Sequence, residues 1–285
     1  MEALSLRALW AQTADVICSR HEARWLCEVA ASLDGDEFDQ ALDEPVTDRM
    51  VGHLDSMLAR YRTGEPLQYV LGRWGFRRLD LAIDQRVLIP RPETELVAEV
   101  AIDLARQVEP VRAVADLGTG SGAIGLSMAV ELPAEGTSVW ITDISGEALA
   151  VARANLTGIG RAAGNVTASE GEWFAALPGD QRFDVIVSNP PYVADRAPQL
   201  DDSVRDWEPA GALFSGPDGL DDLRHLIAQA PHHLADDGWL VVEIGADQGA
   251  AVRSLLRSAG YRDAEIKQDF GGRDRIAVGR RETRT

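Results

Sequence analysis

Residues 114–125 read Val-Ala-Asp-Leu-Gly-Thr-Gly-Ser-Gly-Ala-Ile-Gly. An apolar run, Val111 to Ala115, enters a turn built on three glycines, and a helical pattern follows. Glycine reaches backbone conformations that other residues avoid, so this turn is sharp and lets a ligand approach the main chain closely. Further short apolar runs lie near 138–143, 165–169, 183–189 and 238–245, with helical patterns between most of them. Alternation of this kind predicts a mostly parallel sheet with helices on both faces. In such open sheets ligands sit outside the C-terminal ends of the strands, where the strand order reverses.

The turn also says which ligand. The helix after it opens with free N–H groups. Asp143 ends the next apolar run, Ser138 to Thr142, where a carboxylate accepts both hydroxyls of a ribose. The glycines Gly118, Gly120 and Gly122 follow a G-x-G-x-G spacing, whereas a dinucleotide fingerprint is G-x-G-x-x-G. Asp116 stands two residues before the first glycine. A carboxylate there repels a pyrophosphate and welcomes an ammonium or a sulfonium. S-adenosylmethionine carries both cations and no phosphate, so it is the expected ligand ahead of a nicotinamide dinucleotide.

A second signature closes the fourth apolar run: Val185-Ile186-Val187-Ser188-Asn189-Pro190-Pro191-Tyr192. Each proline fixes φ, removes a donor and holds the preceding residue extended. What remains is an Asn amide, carbonyls without neighbouring donors, and an aromatic face. Such a set suits a planar amino group, whose hydrogens the carbonyls accept and whose face the ring covers. If the strands ending at Asp116 and Asn189 are neighbours, methyl donor and acceptor lie side by side.

The N-terminal stretch reads differently. Leu6, Leu9, Trp10 and Ile17 share a helical face; Leu26, Val29, Ala30 and Leu33 repeat the period, as do Met50, Leu54, Met57, Leu58 and Tyr61. Thr47 can cap the third of these helices, and Gly64 with Pro66 can end it. Residues Trp74 to Leu88 alternate as a β-hairpin does, Ile89-Pro90-Arg91-Pro92 fits neither helix nor sheet interior, and Glu93 opens a helix through Ala101. Leu220, Leu223, Ile227 and Leu234 form a helical stripe, and Glu265 to Phe270 with Arg275 to Val278 reads as an antiparallel edge hairpin. The expected organisation is a helical domain over 1–65, a hairpin linker over 66–92 and a donor-binding domain over 93–285.

These motifs together resemble the class I S-adenosylmethionine-dependent methyltransferases. Joined to Gly64-Glu65-Pro66-Leu67-Gln68-Tyr69, Leu88-Ile89-Pro90-Arg91-Pro92-Glu93-Thr94-Glu95, Trp207-Glu208-Pro209, Ser215-Gly216-Pro217-Asp218-Gly219 and Gly272-Arg273-Asp274-Arg275, they look like the peptide chain release factor N5-glutamine methyltransferases. The resemblance implies a Rossmann-like, seven-stranded, mostly parallel sheet with an antiparallel edge hairpin and an N-terminal helical substrate-recognition domain. It implies that Asp116, Gly118, Thr119, Gly120, Ser121 and Gly122 hold the methionine part of the donor and Asp143 its ribose. Trp173 then lies on the adenine, with Glu172 where the family pattern has Asp. Asn189, Pro190, Pro191 and Tyr192 hold the glutamine amide of a Gly-Gly-Gln motif in class I release factors, and S-adenosylhomocysteine is the other product. In this reading the Asn189 oxygen and the Pro190 carbonyl each accept one amide N–H, Tyr192 packs on the amide face, and no general base is needed. Arg91 and Glu93 either line the pocket or pair with each other, and Trp207-Glu208-Pro209 is either a lid or a plain loop.

Composition narrows the alternatives. The net charge of -18 and a single lysine, Lys267, leave no basic stripe for duplex binding. This counts against an adenine-N6 DNA or RNA methyltransferase, while the intact Asn189–Tyr192 set counts against a non-catalytic donor-binding scaffold. Glu2 and Arg7 interrupt any export-signal pattern, no apolar run approaches membrane-spanning length, and Cys18 and Cys27 read as buried or half-buried thiols. His21, His53, His225, His232 and His233 lack metal-ligand spacing, so no metal is expected. The expectation is a monomeric cytoplasmic enzyme with no membrane or nucleic-acid partner.

Overall fold

In this computed structural model residues 4–109, 112–197 and 201–282 are described; Glu2 and Val111 lie outside them. The chain forms two compact units, Met1–Arg73 and Trp74–Thr285.

The first unit holds five helices among its described residues: α1 (Leu6–Ile17), α2 (Arg20–Ala31), α3 (Asp36–Gln40), α4 (Asp48–Tyr61) and α5 (Leu67–Leu71). Side-chain oxygens of Ser5, Ser19 and Thr47 accept from backbone N–H groups at the starts of α1, α2 and α4. Such caps satisfy donors that a helix start otherwise leaves open. Leu9, Leu26, Leu54, Met57 and Leu58 from the three amphipathic faces meet around Phe38, which short α3 inserts into the core. Cys27 is buried there, whereas Cys18 is exposed. Cys18 occupies the left-handed C-cap of α1, beyond the helix face that packs.

Hairpin β1 (Arg73–Phe76) and β2 (Leu79–Ala82), all but its first residue in the second unit, precedes α6 (Pro92–Arg106). The hairpin stops short of Leu88 because Asp84 accepts from the backbone of Arg86 and Val87 and turns the chain. Pro92 starts α6, as its missing donor allows, and the helix runs five residues beyond Ala101. Then come β3 (Arg112–Leu117), α7 (Ala123–Glu131), β4 (Thr137–Asp143), α8 (Gly146–Ile159), β5 (Val166–Glu170), β6 (Phe183–Ser188), α9 (Asp202–Trp207), α10 (Asp221–Gln229), β7 (Leu234–Glu243), α11 (Gly249–Ser258), β8 (Arg262–Gln268) and β9 (Asp274–Arg280). The sheet order is β5-β4-β3-β6-β7-β9-β8, with β9 antiparallel to β7 and β8. Leu234 belongs to β7 and not to the helical stripe, since α10 ends at Gln229, just before Pro231.

Every residue of β3 is buried, as a strand covered on both faces must be. Ala113, Ala115 and Leu117 join a core with Leu223, Leu226 and Ile227 of α10 and Val252 and Leu256 of α11. On the other face of the sheet α7 packs on β3 and β4, and α6 on β6 and β7. Gly125 of α7 is needed there: a Cβ on it would overlap Ile141 Cγ2 and lie 3.1 Å from Asp116. Ile141 is β-branched and fully buried, so it has little room to retreat. Gly125→Ala is therefore expected to destabilise the chain by about 1–3 kcal/mol, read as a lowered denaturation midpoint at unchanged m-value.

Candidate active site

β3 and β6 run in register, with Leu117 opposite Ser188. The Ser188 hydroxyl donates to the Leu117 carbonyl at 2.7 Å. Gly118 and Asn189 therefore leave the sheet as neighbours, and both line one cavity of about 520 Å³. Asp116, Thr119, Gly120, Ser121, Asp143, Glu172, Trp173 and Pro191 line it too. Of the sequence-selected residues, Gly122, Pro190 and Tyr192 are not among the lining. The strand order reverses at this point, since the chain winds outward from β3 to β5 and then returns to β6.

Gly118 and Gly120 have φ of +67° and +56°, in the left-handed region that glycine tolerates. A Cβ on Gly118 would come within 3.2 Å of the Trp173 ring, while one on Gly120 would meet nothing within 4 Å. The wall above Gly120 is thus open to a ligand. Trp173 itself holds φ at +45°, a costly conformation for a large side chain, and its ring stands over the turn. Asn155 of α8 braces the turn by donating to the Ser121 carbonyl at 2.8 Å while also pairing with the backbone of Ala82.

Two carboxylates face this turn. Asp116 Oδ2 accepts from Thr119 Oγ1 at 2.6 Å and from the Gly125 N–H at 2.8 Å. Both bonds end on one oxygen, which leaves Oδ1 for a ligand. Burial outweighs these bonds and pushes the Asp116 carboxyl up to about 7. Asp143 accepts from the N–H groups of Gly120 and Ser145, each at 2.9 Å, and burial raises its pKa as well.

Asn189 is held from behind. Its Nδ2 donates to Thr94 Oγ1 at 3.2 Å, and Thr94 Oγ1 donates to Glu243 Oε2 at 2.7 Å. The Tyr192 hydroxyl donates to the other Glu243 oxygen at 3.0 Å. The Ile89–Thr94 segment forms another wall through Pro90 and Thr94. Arg91 and Glu93 do not pair with each other: Arg91 donates to Glu208, and Glu93 meets Arg273 at 3.3 Å. Glu208 also accepts from the Ile89 N–H at 3.1 Å, so the loop carrying Pro209, Gly211 and Ala212 closes the cavity beside Pro90. Thr94 and Glu243 were not singled out in the sequence. Glu243 carries the same signal as Asp143, an acid terminating an apolar strand.

A reversing parallel sheet, a glycine turn flanked by buried acids, and an antiparallel edge hairpin define a class I methyltransferase. The fold is shared with a methyltransferase from Pyrococcus furiosus at 17% identity, covering 80% of this chain and all of that one, with a TM-score of 0.52. Residues 100–205 match the methyltransferase small domain, and residues 12–72 match the PrmC N-terminal domain. The release factor glutamine methyltransferase of Vibrio cholerae is 41% identical over 86% of this chain and 82% of its own length. That of Pseudomonas aeruginosa is 46% identical over 79% of each. The chain belongs to the release factor glutamine methyltransferase family. Among the described residues no helix is long and apolar enough to cross a membrane, and no group of three or more His, Cys, Asp or Glu could hold a metal ion.

The elevated Asp116 value has a measurable consequence. A carboxyl whose folded pKa lies above its unfolded value near ~3.9 contributes stability that is lost as pH rises toward the folded value. Asparagine can accept the same two hydrogen bonds without the charge. Asp116→Asn should therefore gain about 2 kcal/mol on the wild type between pH 5 and pH 7 in ligand-free chemical denaturation, with no further gain above pH 8.

Proposed function

We propose that this chain transfers the methyl group of S-adenosylmethionine to the side-chain amide nitrogen of the glutamine in the Gly-Gly-Gln motif of class I peptide chain release factors. The observation that carries the reading is the shared cavity: the glycine turn and Asn189 line the same space. The names of the relatives support the substrate class.

The cavity's chemistry fits the donor. Asp116 offers a free carboxylate oxygen to an ammonium or sulfonium. Arg86, which lines the cavity, already donates to both oxygens of the Asp84 carboxylate, so part of its charge is offset before any phosphate could meet it. Asp143 takes the ribose hydroxyls, and Trp173 with Glu172 receives the adenine. A cation beside Asp116 also returns its carboxyl to the charged form at neutral pH, which offsets the cost of burying it. When bound, S-adenosylmethionine supplies a methyl carbon already activated by positive sulfur, so the reading calls for no metal.

The protein's part is to orient and polarise. With Nδ2 engaged by Thr94, the Asn189 side chain turns its oxygen to the substrate. That oxygen and the Pro190 carbonyl accept the two amide hydrogens, which aims the nitrogen lone pair at the methyl and favours positive charge growing on nitrogen. Tyr192 is the candidate for the amide face, its ring fixed by the hydroxyl bond to Glu243. Orientation alone can lower a two-body barrier by about 7 kcal/mol or more. The methylated nitrogen is acidic and sheds its proton without a dedicated base. The helical unit is read as the recognition element for the release factor, and the hairpin as its linker. The reading takes the chain to act as a monomer. The charge of -18 supports a protein rather than a nucleic-acid substrate, and a cytoplasmic location follows from that substrate.

Incubation with labelled donor tests the class of reaction. Label is expected on a release factor and absent from its Gln→Ala version and from duplex DNA; label on DNA alone overturns the reading. Asn189→Ala is expected to cut kcat about 100-fold or more while donor Kd changes less than about threefold. Near-normal turnover in that variant contradicts the mechanism.

A further inference from the structure

We propose that Glu243, acting through Thr94, selects which end of the Asn189 amide faces the cavity, and that only its carboxylate form selects the oxygen. The inference rests on the reading that the Asn189 oxygen receives a substrate N–H. A side-chain amide has an acceptor end and a donor end of nearly equal size, so shape alone cannot orient it. Hydrogen-bonding partners must do so.

The chain of bonds behind Asn189 does this by proton counting. Thr94 has one hydroxyl proton. A carboxylate accepts and never donates, so the proton of Thr94 goes to Glu243 Oε2, at 2.7 Å. Tyr192 fills the other carboxylate oxygen from its own hydroxyl at 3.0 Å. Thr94 then presents only lone pairs to Asn189, and lone pairs select the NH₂ end, at 3.2 Å. The oxygen is left for the cavity. A proton added at Oε2 of Glu243, the oxygen that Thr94 faces, reverses the order. The acid donates to Thr94, the Thr94 proton turns to Asn189, and that proton selects the oxygen. The NH₂ group then faces the substrate amide, donor against donor.

Glu243 is 1% exposed, so water does not compete for these bonds. The groups facing it come from three elements. Thr94 and Glu93 belong to α6, Tyr192 follows β6, and Arg275 lies on β9. Arg275 donates to the Ile244 carbonyl and stands 3.7 Å from Asp269, so it is shared rather than committed to Glu243. Burial and Glu93 push the Glu243 carboxyl up; the two hydroxyls and Arg275 hold it down.

The test uses the full-length chain with labelled donor and a release factor. Thr94→Val and Glu243→Gln are each expected to lower kcat about 30-fold or more, with donor Kd within about threefold of wild type. Because both act through one chain of bonds, the double variant should be no worse than the worse single one. Thr94→Ser keeps the hydroxyl and should retain a third or more of kcat on the same ~30-fold scale. Wild-type kcat should fall with acid through an apparent pKa above the ordinary carboxylate range, and that acid limb should vanish in Thr94→Val. A merely structural role moves neither the double-variant coupling nor the acid limb. Near-wild-type kcat in Thr94→Val, losses that multiply, or an unchanged acid limb overturns the proposal. The Thr94 variants carry the test should Glu243→Gln fail to fold. Failure of the wild type to label any release factor overturns the parent reading as well, whereas an active wild type with an indifferent Thr94→Val overturns this inference alone.

Discussion

The adjacency of β3 and β6 is the constraint on which the catalytic unit depends. Hydrogen bonding from Ser188 to the Leu117 carbonyl ties their ends together, and each strand then releases its chain into a non-sheet segment. One segment is a run of glycines and the other contains two prolines. Opposite conformational properties serve one purpose. Glycines let the backbone bend around a ligand, and prolines stop the backbone from moving away from it. Two strands pairing elsewhere in the sheet would separate these ends by at least one strand spacing of about 5 Å, and the donor would no longer meet the acceptor.

Acids close the C-terminal edge of this sheet: Asp116 in β3, Asp143 ending β4 and Glu243 ending β7. Burial raises the pKa of all three. Each is costly to the folded chain when charged, and each is restrained by hydroxyl or backbone donors rather than by a committed counter-ion. That arrangement favours ligands over stability. A cation beside Asp116 recovers part of the cost, and the hydroxyls around Glu243 give its charge a directional use. A chain selected only for stability would place neutral residues at these sites.

Much of the architecture was legible because strand and helix leave different periods in sequence. The five apolar runs are β3 to β7, and the glycine turn and the proline pair fall at the ends of β3 and β6. The misjudged elements have two causes, a helix stop overlooked nearby and partners far along the chain. Leu234 continued a helical stripe, yet Pro231 had already ended the helix. Arg91 and Glu93 are two residues apart in sequence but bond to Glu208 and Arg273, each more than a hundred positions away. Thr94 sat inside a recognised motif without a role, since its role comes from Glu243, 149 positions downstream.

Sequence alone determined the alternation of strands and helices, the conformations at Gly118, Gly120 and Asn189–Pro191, and the charge type suited to the ligand. These are local properties, set by sterics and side-chain chemistry within a few residues. Tertiary structure decided which strand ends meet, which oxygen of Asp116 is free, and which end of the Asn189 amide points into the cavity. Those outcomes depend on groups that only folding brings within hydrogen-bond reach, and a bond that short-ranged leaves no period or spacing along the chain.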